Sequence, residues 1–138
     1  MNMIIGTHSD LYVSEILSHL PQLSDHTGFV HCSTHTEIMQ QVKLLHPQIV
    51  IVDFDLPSRG GNYTIEQLRA TKIPMLIVCF HQKDCLSIVR QIQTVNADFL
   101  IHFRNEFDLL IKLIESMLRH CTKWSSSYKH GFASSVTE

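Results

Sequence analysis

A chain of 138 residues, 44% of them hydrophobic, is long enough for one substantial core and short for two. Its formal charge is -2 and its 11 lysines and arginines are scattered, so no basic face is present to hold a nucleic-acid backbone. No apolar run is long enough to cross a bilayer, and Met1 to Ile5 is too short and uncharged for a secretory leader. A cytoplasmic domain without direct DNA or membrane binding is expected. The four cysteines (Cys32, Cys79, Cys85, Cys121) form no CxxC pair, which argues against a zinc knuckle or a disulfide framework. Among the ten histidines, His31 and His35 have a spacing seen in metal sites. They fall at the end of a predicted strand and the start of the next helix, so they share no helical face and are expected to be solvated or locally bonded.

Short β-branched runs alternate with helical patterns along the chain, which is the signature of βαβ units and a parallel sheet. The first run, Met3 to Gly6, precedes a helical pattern from Leu11 to Leu20 that places Leu11, Ile16, Leu17 and Leu20 on one side. The second, Gly28 to Cys32, leads into Thr36 to Leu45, with Ile38, Met39, Val42 and Leu45 apolar. Thr34 and Glu37 form a capping box at the start of that helix, and Pro47 ends it. The third and fourth runs, Ile49 to Phe54 and Met75 to Phe80, are apolar on both faces, as buried central strands are. A short helix from Thr64 to Ala70 lies between them. A fourth helix is predicted from about Asp84 to Val95. The fifth run, Asp98 to Phe103, precedes a helix from Glu106 to Arg119 with Phe107, Leu110, Leu113, Ile114 and Met117 facing inward.

Five strands and five helices in strict alternation predict an α/β fold: a doubly wound five-stranded parallel sheet in flavodoxin-like order 2-1-3-4-5. Ligands then belong at the carboxyl ends of the strands. From Cys121 onward the pattern stops, and Trp124 to Tyr128 reads as a linker. The expected organisation is a domain over residues 1–120 and a linker or tail over 121–138, leading to a second domain outside this chain.

The segment Pro47-Gln48-Ile49-Val50-Ile51-Val52-Asp53-Phe54-Asp55-Leu56-Pro57, followed by Gly60 and Gly61, carries a specific resemblance. It resembles the receiver domains of two-component response regulators, in which an apolar third strand ends in the phosphoacceptor Asp and a sharp turn follows. The resemblance covers residues 3 to about 119 and implies that Asp53 occupies the phosphoacceptor position. A lone carboxylate at the mouth of a buried strand costs desolvation energy, and such groups are usually kept for coordination or nucleophilic chemistry.

The rest of the pocket that the resemblance implies is degenerate. Where the family binds Mg²⁺ through two acids after strand one, this chain has Gly6 and Thr7, with Asp10 further along at the start of the helix. The hydroxyl and small residue at the end of strand four are Cys79 and Phe80, whose ring is expected to crowd the approach. The Lys and Pro after strand five are His102 and Phe103. Asp55, two residues beyond Asp53, lies on the same side and adds negative charge. Phe99 matches the aromatic switch position and is expected to be a buried, fixed ring. Mg²⁺ binding is expected to be weak at best, with no other cofactor.

The resemblance implies an atypical receiver domain that begins a LuxR-type transcriptional regulator. It is expected to act by homodimerisation or by pairing with another regulator, through the fourth and fifth elements or the first and fifth helices, with DNA bound only by a separate domain. One alternative is a conventional phosphoacceptor receiver that takes phosphate at Asp53 from a histidine kinase. Another is a small-ligand-sensing module lined by Gly6, Thr7, Cys79 and His102. Cys79 and His102 come with no oxyanion-binding loop, so an enzyme is not expected.

Overall fold

The computed structural model of the protein describes residues 2–20, 28–84, 90–91 and 93–124. Five strands form one sheet: β1 (Asn2–Gly6), β2 (Gly28–Cys32), β3 (Ile49–Asp53), β4 (Leu76–His81) and β5 (Phe99–His102). Their order is β2-β1-β3-β4-β5 and every pairing is parallel, as the alternation predicts. Parallel neighbours need long crossovers, and the helices that make them cover both faces of the sheet. This is why β3 is buried along its whole length and β4 at all but its first residue.

Two apolar layers result. On one side Met3, Ile5, Ile49, Ile51, Val78, Phe80 and Ile101 pack against α1 (Asp10–Ser18) and against Leu110, Ile111 and Ile114 of α4 (Phe107–Trp124). On the other Ile4, Val50, Val52, Ile77 and Cys79 pack against α2 (His35–Leu45) and α3 (Gly60–Ala70) through Ile38, Val42, Ile65 and Leu68. Successive strand residues alternate between these layers, because side chains on a pleated strand point to opposite faces. Each isoleucine fully removed from water contributes roughly 1.5–3 kcal/mol before entropy is counted.

The helix boundaries follow local chemistry. Thr34 caps α2 by accepting the Glu37 amide at 3.2 Å, and the Glu37 carboxylate accepts from the Thr34 hydroxyl and the Ser33 amide, as the capping box requires. At its other end His46 turns left-handed at φ 46° and its amide donates to the Val42 carbonyl, and Pro47 keeps the helix from continuing. The inner face of the last helix is as predicted, with Leu110 and Ile114 fully buried and Phe107, Leu113 and Met117 partly so.

Four expectations are corrected. Leu11 is 79% exposed: Ile16, Leu17 and Leu20 face the core as expected, and Val13 joins them in place of Leu11. The third helix starts at Gly60 and not at Thr64. Glycines are poor helix formers, and their composition hid the first turn. The last helix runs to Trp124, past the end expected at Arg119. Phe99 is not a buried ring: it opens an edge strand and is 39% exposed, whereas Phe80 and Phe103 are the fully buried aromatics. Half of the predicted helix from Asp84 to Val95, and the stretch from 125 onward, lie outside the described residues.

Gly61 is where the fold leaves no room. A Cβ there would lie 2.4 Å from the Asp53 carbonyl oxygen and 2.8 Å from the Phe54 Cα, both of them backbone. Gly61→Ala is expected to lower stability by about 1–3 kcal/mol in urea unfolding, because strand end and helix must separate to admit one methyl group. Thr34→Ala should cost about 1 kcal/mol in the same assay.

Candidate functional site

Asp53 ends β3 between β1 and β4, and only 6% of it is exposed. Both of its carboxylate oxygens are engaged. The Thr7 hydroxyl donates to Oδ2 at 2.7 Å, and the Asp55 amide donates to Oδ1 at 2.9 Å. Thr7 is itself fully buried and firmly placed. Its hydroxyl accepts the Ser9 amide at 3.1 Å, its carbonyl lies 2.8 Å from His31 Nε2, and its amide donates to the Cys32 carbonyl at 3.0 Å. Burial pushes the Asp53 pKa above the ordinary carboxylate value. The Thr7 and Asp55 hydrogen bonds and the Lys83 charge oppose that rise, and the Asp55 charge adds to it.

Gly6, not an acid, stands beside Thr7. A Cβ at Gly6 would meet the far end of Ile38, its Cδ1, so a carboxylate there would ask that side chain of α2 to shift. Asp10 does not turn toward Asp53: its side chain is 93% exposed and lies 3.9 Å from His31 Nδ1. Asp55 is half exposed, and its carboxylate pairs with Lys83 Nζ at 3.3 Å. Mg²⁺ needs several anionic oxygens in near-octahedral array. One buried carboxylate with both oxygens already bonded, a threonine hydroxyl and an acid paired to a lysine do not fit it.

The other predicted residues are placed as follows. Cys79 is fully buried in the layer under α2 and α3, and burial followed by the Asp53 and Asp55 charges pushes its thiol up to about 12, so it is neither nucleophile nor strong donor. Phe80, the register partner of Asp53, does not crowd the mouth. It lies wholly inside the core, with ring centroids 5.1 Å from Tyr12 and 5.2 Å from Phe103. The partner of His102 is Asp84 Oδ1, at 2.9 Å from Nε2, and not the thiol. His31 and His35 are each locally bonded, the latter through Nδ1 at 3.0 Å from the Thr64 hydroxyl.

The structure adds three residues that the pattern did not reveal. Lys83 brings the only ammonium seen at this mouth among the described residues, from the loop after β4. Tyr12 rises from α1 over Phe80 and Phe103, and its hydroxyl accepts from Gln82 Nε2 at 2.5 Å. His81, at the end of β4, accepts the Lys83 amide at Nδ1 at 3.0 Å. The one available signal was the charged cluster Lys83-Asp84 straight after a strand that points at the ligand-binding edge.

No protein-family model matches the chain, and no curated protein matches it. Solved structures do. The signal receiver domain of a DNA-binding response regulator protein from Colwellia psychrerythraea 34H superposes with a TM-score of 0.72 at 12% identity, over 86% of this chain and 98% of that one. A CheY-like response regulator receiver domain protein from Methanospirillum hungatei JF-1 gives 0.66 at 17% identity, over 88% and 96%. A DNA-binding response regulator of the LuxR family from Staphylococcus aureus gives 0.68 at 13% identity, over 83% and 96%. The chain therefore has the receiver-domain fold.

Because burial raises the Asp53 pKa, the folded state binds a proton more tightly there than the unfolded chain. The Asp53 contribution to stability therefore falls as pH rises from the ordinary carboxylate value of 3.8 through the raised one. Asp53→Asn should flatten that part of the pH-stability curve in urea titrations. Thr7→Val, which leaves Oδ2 without its donor, should steepen it and cost about 1.5–3 kcal/mol at pH 7.5.

Proposed function

We propose that this chain is an atypical receiver domain of a two-component response regulator, which controls transcription through dimerisation or contact with a partner regulator. Phosphorylation at Asp53 is impaired or absent in this reading, and DNA is contacted by a separate domain. The observation that carries it is the clasp on Asp53, in which Thr7 and the Asp55 amide occupy both carboxylate oxygens.

Phosphoryl transfer to an aspartate needs a free oxygen in line with the leaving group and positive charge on the transferred oxygens, usually from a metal. Here each attacking oxygen already accepts one hydrogen bond from the protein, which stabilises the carboxylate where it stands, and the donors at the mouth do not suit Mg²⁺. The solved neighbours support the signalling class, because two of them are described as DNA-binding response regulators. The formal charge of -2 agrees with leaving DNA to another domain.

A second reading, the conventional phosphoacceptor, draws on Lys83. Its ammonium lies 3.3 Å from Asp55 and acts on Asp53 to favour the ionised form. It supplies one positive charge of the kind that phosphoryl transfer uses.

Amide NMR of the chain titrated with Mg²⁺ and then beryllofluoride, beside an Asp53→Ala control, separates the two. The proposal expects no Asp53-dependent shifts at Thr7, Asp55 or Cys79. Saturable shifts there that vanish in Asp53→Ala would overturn it in favour of an ordinary phosphorylation switch.

A further inference from the structure

At the carboxyl ends of β4 and β5 two imidazoles face each other, with ring centroids 5.2 Å apart. Each accepts a backbone amide from the loop that follows it. His81 Nδ1 accepts the Lys83 amide at 3.0 Å, and His102 Nδ1 accepts the Asn105 amide at 3.2 Å. An amide nitrogen can only donate, so Nδ1 of both rings is unprotonated in this arrangement and Nε2 carries the hydrogen. For His102 that hydrogen points to Asp84 Oδ1 at 2.9 Å. His81 is buried, and the amide it holds belongs to the residue whose side chain neutralises Asp55.

We propose that His81 is a proton-operated latch on the loop after β4: while its Nδ1 is free of a proton it holds the Lys83 amide, and a proton taken up there from solvent releases Lys83 from Asp55. The groups that face the ring are His102 from β5, Glu106 ahead of α4, Asp55 after β3, and Lys83 and Asp84 on the loop itself. The latch is local to the loop and does not depend on whether Asp53 accepts a phosphoryl group.

The sign follows from the surroundings. Burial, and then the neighbouring His102, lower the His81 pKa below its ordinary 6.5, while Glu106, Asp55 and Asp84 pull the other way. A lowered folded pKa means that the latch is fully closed above 6.5 and is lost as pH falls through the lowered value.

Hydrogen exchange of the Lys83 amide, corrected for its intrinsic rate and followed by NMR from pH 7.5 to 4.5 without Mg²⁺ or phosphoryl donor, tests this. Protection should fall about tenfold per pH unit below the His81 transition. His81→Asn places a non-titrating oxygen that accepts the amide two residues on, and should abolish that dependence. His102→Gln removes the neighbour that lowers the His81 pKa and should move the transition to higher pH. Protection that stays constant in the wild-type chain, or that falls equally in His81→Asn, would overturn the latch. If His81→Asn does not fold, an unmoved transition in His102→Gln would overturn it as well.

Discussion

The hydrogen bond from Thr7 to Asp53 joins the ends of the two central strands, and much of the mouth is organised around it. A carboxylate that is 6% exposed must find donors inside the protein. Thr7 can be one because its backbone is pinned on both sides, by Cys32 through its amide and by His31 at its carbonyl. The Asp55 amide is the other donor, and this fixes the turn after β3 that delivers Gly60 and Gly61 to the start of α3. One buried carboxylate thus ties the segment after β1 to the turn after β3.

The mouth is consequently a closed electrostatic circuit of small parts. Asp53 is satisfied by neutral donors, Asp55 by Lys83, and His102 by Asp84. Exposed pairs such as Lys83 with Asp55 contribute little stability by themselves. Their effect lies in position, since they tie the loops after β3 and β4 together above a carboxylate that burial has made easier to protonate. The aromatic stack of Tyr12, Phe80 and Phe103 forms the floor beneath, which is rigid because all three rings pack edge-on or tilted against one another.

How much of this was legible in the sequence depends on whether a residue's role leaves a periodic trace. The strands were legible within a residue or two because burial on both faces forces unbroken β-branched runs, and the capping of α2 was legible because Thr34 and Glu37 have only one physical use at that spacing. Asp53 stood out as an acid at the end of such a run. Lys83 and His81 did not, since residues at the end of a strand and in its loop obey no period. In α1 only Leu11 was misplaced, because it is apolar but sits in the first turn, where composition alone does not fix which side faces the sheet. The burial of Phe99 was misjudged for a related reason: an apolar run reveals a strand, but not which of its residues lies at an open edge.

The contact between Ile38 and Gly6 also bears on how this sequence can change. A side chain at position 6 would press on the far end of Ile38, while the nearest backbone atom, the Ile51 carbonyl oxygen, stays at an ordinary 3.6 Å. A smaller residue at 38 would relieve that pressure but leave a hole in the α2 layer while Gly6 stays. Residues 6 and 38 are in contact, so the effects of changing them are not expected to add. The hydrocarbon at position 38 thus takes part in deciding which side chains the strand end beside Asp53 can carry.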